Sequence, residues 1–171
     1  MANWATGTLK LRGTKEDIKR FLTEGLEAIQ PAGRQIAEIM RSVGKEVKFP
    51  DEVDLNYKED EWDLQISSKK GIYIKGTRRS FIDSDIEWNH SDYDSEIQTL
   101  HIDGFNQAWG VDVVSFAKIS EKYNLDIKIY VFEQGMEFNQ DIEIHKGEIV
   151  RNKEIEFDDY QWECLHPNWG G

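Results

Sequence analysis

The chain has 171 residues, of which 33 are Asp or Glu and 21 Lys or Arg, for a formal net charge of −12. That length suits one core rather than two, and that charge repels nucleic-acid backbones and anionic membranes unless positive charge is locally segregated, so a basic partner surface is the cheaper match. The single Cys164 leaves no internal disulfide, no apolar run approaches the ~20 residues of a membrane span, and no charged leader opens the chain, so the expectation is a cytoplasmic protein.

Residues 5–12 alternate, with Ala5, Gly7, Leu9 and Leu11 on one face and Thr6, Thr8, Lys10 and Arg12 on the other, the period of a half-buried strand. Beyond Gly13, Thr14 is placed to cap a helix, and Ile18, Phe21, Leu22, Leu26 and Ile29 fall on one apolar stripe that Pro31 ends. Ile36, Ile39, Met40 and Val43 repeat the helical spacing up to Gly44, which predicts a second, shorter helix. Residues 45–61 are polar and acidic, include Pro50, and read as a loop.

Strands resume at Trp62. Leu64 and Ile66, then Ile72 and Ile74, flank Ser67-Ser68-Lys69-Lys70-Gly71 and predict two antiparallel strands joined by a short turn. Asp83 to Glu96 holds six carboxylates and no Lys or Arg, a composition that favours a solvated loop. Leu100 and Ile102 mark another strand. A helix capped by Asp112 follows, with Val113, Phe116, Ala117, Ile119 and Tyr123 on or near its inner face and Asn124 closing it. Ile127, Ile129 and Val131 then alternate with Lys128, Tyr130 and Phe132, a strand whose second face is rich in aromatics. From Gly135 a hairpin is predicted, with Ile142 and Ile144 before the His145-Lys146-Gly147 turn and Ile149, Val150, Ile155 and Phe157 after it.

Strand, helix, hairpin, strand, helix, strand is the split βαβ order of a ferredoxin-like sandwich. The expectation is one α+β domain, with a ferredoxin-like core over about residues 5–134, long loop insertions and an extra C-terminal β-hairpin within 135–171. Its inner side should contain Leu9, Leu11, Phe21, Leu22, Ile102, Phe116, Ile127 and Ile129. Helices on one sheet face would leave the other as a place for a binding surface, unless the tail or the long loops fold over it.

Several of these residues carry a family likeness. Asn3-Trp4-Ala5 before Leu9-x-Leu11-x-Gly13, the step Phe105-x-x-Ala108-Trp109 into a helix, and Tyr123-x-Leu125-x-Ile127 leading to Phe132-Glu133-x-Gly135-x-x-Phe138 together resemble the uncharacterised family with a YubB-type ferredoxin-like domain, found on phages, plasmids and in bacteria. The likeness is strongest at the N-terminus and over 105–138. The chain departs from the family pattern at Gly110-Val111, where prolines are usual, and at Ala5, where a Cys is common. The resemblance implies a fold and a mobile-element setting, and no activity.

The densest set of hard metal ligands is Asp83, Asp85, Glu87, His90, Asp92 and Asp94, but an EF-hand counted from Asp83 would need Gly and Glu where Trp88 and Asp94 stand. The four histidines share no zinc spacing, and Cys164-x-His166 offers two donors where a structural zinc needs four. Neither a dinucleotide fingerprint nor a Walker loop occurs, so no metal or cofactor is expected. Lys69, Lys70, Lys75, Arg78 and Arg79, with Tyr73, form the one basic cluster. They are the candidate contacts for a single-stranded nucleic acid, against the plainer reading of a charged edge that blunts strand pairing. A partner-binding patch would draw on Trp109, Tyr130, Phe132 and Glu133, or on Asp83, Asp85, Asp92 and Asp94, whereas Trp109 and the Glu133-x-Gly135 turn also read as ordinary packing at element ends.

The function expected from these residues is non-enzymatic binding of another macromolecule, a protein before a nucleic acid, through an acidic or open-sheet surface. The alternatives are an acidic DNA mimic using segments 51–63 and 83–96, a single-strand binder, and a hydrolase whose nucleophile, base and orienting group cannot be assembled from spacing.

Overall fold

A computed structural model describes residues 3–90 and 96–171. In chain order the elements are β1 (Trp4–Gly13), α1 (Lys15–Glu24), β2 (Leu26–Ala28), α2 (Ala32–Ser42), β3 (Asn56–Glu59), β4 (Asp63–Ser67), β5 (Ile72–Ile74), β6 (Ser80–Ile82) and β7 (Ile86–Asn89). They continue with β8 (Gln98–Ala108), α3 (Val113–Tyr123), β9 (Asp126–Glu133), β10 (Phe138–His145), β11 (Glu148–Glu156) and the single turn α4 (Tyr160–Glu163). The chain is a mixed α+β protein built mainly of antiparallel strands.

The main sheet has eight strands in the order β11-β10-β9-β1-β8-β6-β5-β2. β1 is central because its alternation is the cleanest: Ala5, Gly7, Leu9 and Leu11 are all buried, and it pairs with β8 on one side and β9 on the other. α3 carries the chain from β8 to β9 across β1. It starts where the Asp112 carboxylate accepts the Ser115 N–H at 3.3 Å and stops at Asn124, which takes the left-handed conformation. α1 begins in the same manner, the Thr14 hydroxyl accepting the Asp17 N–H at 3.1 Å. Phe105 against Phe116 and Phe21 against Tyr123, both edge to face, tie the sheet to α3 and α3 to α1. All eight residues expected on the inner side are buried.

Four expectations need correction. The stripe through Leu26 and Ile29 is not helical: α1 ends at Glu24, and Leu26 and Ala28 pair with Ile74 and Ile72 as a buried edge strand. Gly25, which weakens a helix by roughly 1 kcal/mol against Ala, marks the break. Residues 62–74 are not one hairpin, because β4 leaves the main sheet to pair with β3 and β7 while β5 stays in it. The polar stretch 45–61 contributes β3, and the acidic stretch 83–96 contributes β7, whose Ile86 and Trp88 point inward. β2 and β7 gain their stability from neighbours distant in sequence, β5 and β4, which local composition does not register, whereas β3 closes a tight hairpin with β4 that its polar composition conceals.

The second, three-stranded sheet β3-β4-β7 docks on α1: the Tyr57 hydroxyl donates to the Leu22 carbonyl at 3.1 Å and Lys19 reaches Glu59 at 2.5 Å. Its inner residues Leu64, Ile66, Ile86 and Trp88 join the same core as α1 and α3. α2 is helical as expected, but Ile36 and Ile39 are 58% and 63% exposed, so that apolar stripe faces solvent. Among the described residues no helix is long and apolar enough to cross a membrane.

Candidate functional site

The β4–β7 ladder brings together two acidic segments that lie apart in the sequence. With Leu64, Ile66, Ile86 and Trp88 directed inward, period 2 places Asp63, Gln65 and Glu87 on the outer face. A hollow of about 390 Å³ is lined by Glu59, Asp60, Asp63 and Glu87, with Lys58 as its cation. Another, of about 590 Å³, is lined by Asp51, Glu52, Asp54 and Asp85, with Lys69 beside them. The 51–54 stretch is held there by Gln30, whose amide bonds both the N–H and the C=O of Val53, at 3.2 and 2.7 Å.

Most of these carboxylates lack a cation. Glu59 pairs with Lys19 and Glu52 with Arg34, but Asp51, Asp54, Asp60, Asp63, Asp85 and Glu87 make no ion pair among the described residues. The Asp60 carboxylate accepts the N–H groups of Trp62 and Asp63, each at 2.8 Å, and these bonds hold its pKa below the usual range. The hydrogen bond from Lys19 does the same for Glu59. Asp60 and Glu59 are thereby favoured as carboxylates, and six of the eight acidic residues of this surface have no ion pair among the described residues.

A different site lies on the face of the main sheet opposite α1 and α3, which carries no helix but the single turn α4. One cross-strand row runs through all eight strands: Glu27, Tyr73, Phe81, Asn106, Thr6, Phe132, Asn139 and Ile155 stand side by side from β2 to β11. The tail covers the half over β9 and β10, where His166 and Trp169 stack on each other at 4.3 Å and meet the Phe132 ring edge-on. The half over β1, β8 and β6 holds a cavity of about 400 Å³ lined by Trp4, Thr6, Ile29, Phe81, Asp83 and Asn106, with Gly170 and Gly171 at its rim. Inside it, the Thr6 hydroxyl donates to Asn106 Oδ1 at 2.5 Å and Asn106 Nδ2 donates to Asp83 Oδ2 at 2.7 Å. Asp83 stays exposed, but partial desolvation raises its pKa above its ordinary value.

The sequence-predicted residues are distributed over several places. Trp109 is exposed at the end of β8 with a positive φ of 69°, Tyr130 is half-buried, and Phe132 and Glu133 are buried, so the four do not form one exposed patch. Glu133 instead holds the turn after β9, its carboxylate accepting the N–H groups of Gly135 and Met136 at 3.0 and 2.6 Å. Asp83 lines the aromatic cavity and Asp85 the acidic surface, while Asp92 and Asp94 lie outside the described residues. Lys69 and Lys70 sit on the exposed turn before β5, whereas Arg78 and Arg79 follow it on the loop to β6. Tyr73 stays on the sheet face opposite α1 and α3, its ring against Phe81 and its hydroxyl bonded to the Thr77 carbonyl, and the Arg79 guanidinium lies 5.3 Å over the Trp4 ring. Cys164 is buried beside Asn139, with Tyr160 in the same pocket of packing. Among the described residues no group of three or more His, Cys, Asp and Glu side chains is arranged to hold a metal ion.

Trp4, Thr6, Phe81 and Asn106 were not legible as site residues. The period-2 pattern places Thr6 away from the core, but only the pairing of β6 with β8 and of β8 with β1 brings Phe81 and Asn106 beside it. No family model, no curated protein and no solved structure matches this chain.

Proposed function

We propose that the protein works by binding another protein through the acidic surface of the three-stranded sheet, and that the partner presents a basic surface. The observation that carries this reading is the gathering of Asp51, Asp54, Asp60, Asp63, Asp85 and Glu87, from both acidic segments, with no ion pair to any of them among the described residues. Uncompensated carboxylates on one side of a molecule of charge −12 steer a positive partner toward that side and raise the rate of encounter. The same charge disfavours phosphodiester ligands, and Lys69 and Lys70 stand before β5 whereas Arg78 and Arg79 stand after it, on the loop to β6.

The frame that presents this surface is, on this reading, ferredoxin-like. In support, β8 and β9 flank β1, α3 crosses between them, and α1 leads from β1 to β2. The β5–β6 pair inserted between β8 and β2, together with the β10–β11 hairpin, widens that frame to eight strands. The likeness over Phe105–Trp109 and Phe132–Phe138 suggests a phage or plasmid setting, and the free, buried Cys164 suits a reducing cytoplasm.

The test is charge reversal. Changing Asp51, Asp54, Asp63 and Asp85 to Lys should leave the circular dichroism spectrum intact and abolish binding of a labelled basic polypeptide such as polylysine. Binding by the unaltered protein should fall steeply between low and physiological salt, where exposed charges are screened over about 8 Å. Undiminished binding by the reversed protein would refute the reading.

A further inference from the structure

The aromatic cavity adjoins the acidic surface. Asp83 lines the one and Asp85 the other, on either side of Ser84, whose hydroxyl is tied to the Asp103 carbonyl at 2.7 Å. We infer that this cavity takes an arginine side chain of the basic partner, with Asp83 receiving the guanidinium and the rings of Trp4 and Phe81 packing against it. The inference rests on the binding mode proposed above and supplies what a diffuse acidic face lacks, a contact selective for one residue type.

The polar floor is committed to acceptance. Both Nδ2 hydrogens of Asn106 are used, on Asp83 and on the Gly104 carbonyl at 3.0 Å, and its Oδ1 accepts from Thr6, so the amide offers no spare donor and its orientation is fixed. When ionised, the Asp83 carboxylate accepts only, and it forms no ion pair among the described residues. A partly desolvated carboxylate with one amide donor gains from a ligand rich in N–H groups, and a guanidinium brings five in a planar fork.

The walls favour the same ligand. Trp4 and Phe81 meet at 5.7 Å with their planes 60° apart, forming a corner with Ile29 beside it, and about 400 Å³ is room for a long side chain or a small ligand. A guanidinium is planar and weakly hydrated and packs on aromatic faces, whereas an ammonium keeps its water more tightly. Such contacts already occur in the molecule, Arg20 over Tyr123, Arg41 over Phe49 and, at this cavity, Arg79 over Trp4. A nucleobase would find the same rings, but its phosphate would meet Asp85, Glu52 and Asp54 next to the cavity.

The probes are labelled hexa-arginine and hexa-lysine peptides, equal in charge, titrated by fluorescence anisotropy against the full chain. Hexa-arginine should bind more tightly. Asp83→Asn, which keeps shape and the Asn106 bond, should weaken hexa-arginine by about tenfold, the scale of one hydrogen-bonded contact to a charged group, and leave hexa-lysine nearly unchanged. Phe81→Ala, checked for folding by its melting curve, should likewise remove the preference. Arg79→Ala should strengthen hexa-arginine binding by freeing the Trp4 ring and removing a like charge. A variant with Asp51→Asn, Glu52→Gln, Asp54→Asn and Asp85→Asn should weaken both peptides alike. Loss of the arginine preference in Asp83→Asn supports the pocket even if the four-site variant binds normally, an outcome that would remove the acidic-face reading alone. Equal affinity for both peptides, untouched by Asp83→Asn, overturns the pocket and leaves the acidic face standing. Binding of neither peptide at low salt overturns both, and weaker hexa-arginine binding by Arg79→Ala overturns the pocket.

Discussion

Asp83 illustrates how the fold holds a carboxyl in a setting it does not itself favour. The residue is exposed, and partial desolvation disfavours the charged form, so its pKa in the folded chain lies above the unfolded value by an amount that solvent limits. The folded state then binds more protons than the unfolded state across the window above the ordinary carboxylate pKa, and stability falls as pH rises through that window. Asp83→Asn removes the titration and retains the bond from Asn106. It should melt higher than the unaltered protein at neutral pH, with the margin closing as pH falls through the carboxylate range. A variant that melts lower at neutral pH would mean that the charge is compensated in the free protein, and the argument for a cationic ligand would weaken.

At the scale of elements, long periodic segments were legible and short ones were not. β1, α1 up to Glu24, α3, β9 and the β10–β11 hairpin follow the alternation or helical spacing of their own residues, closed by Thr14, Asp112 and Asn124. β2, β3 and β7 have three or four residues each; β2 and β7 are held by pairing with β5 and β4, which no window of local sequence contains, and β3, though it forms a hairpin with β4, has no aliphatic residue to mark it. The candidate sites inherit that limit. The acidity of 51–63 and 83–96 was plain, but its meeting on one surface depends on the β4–β7 ladder, and the aromatic cavity depends on the register of β6 against β8. Glu133 shows the opposite case, a residue conspicuous in sequence whose visible work is local. Its two bonds to backbone N–H groups close the β9–β10 turn. Glu133→Ala should cost about 1–3 kcal/mol in chemical denaturation, with Glu133→Gln, which keeps an acceptor, falling between. Peptide binding should be unaffected; loss of binding with stability unchanged would place Glu133 in the partner contact.

For the whole molecule, charge and architecture point the same way. The eight-stranded sheet has one face under α1, α3 and the small sheet, while the tail covers part of the other. Among the surfaces left open are the acidic outer side of β3-β4-β7 and the aromatic corner next to it. Basic side chains are present in that neighbourhood, but Lys58 and Lys69 are few against the carboxylates around them. The measurement that tests the central claim most directly is a paired titration of the unaltered protein at low salt, with a labelled basic polypeptide on one side and labelled single- and double-stranded oligonucleotides on the other. The account predicts that the polypeptide binds, that added salt releases it, and that neither oligonucleotide binds. Tight binding of an oligonucleotide, with none of the polypeptide, would contradict it.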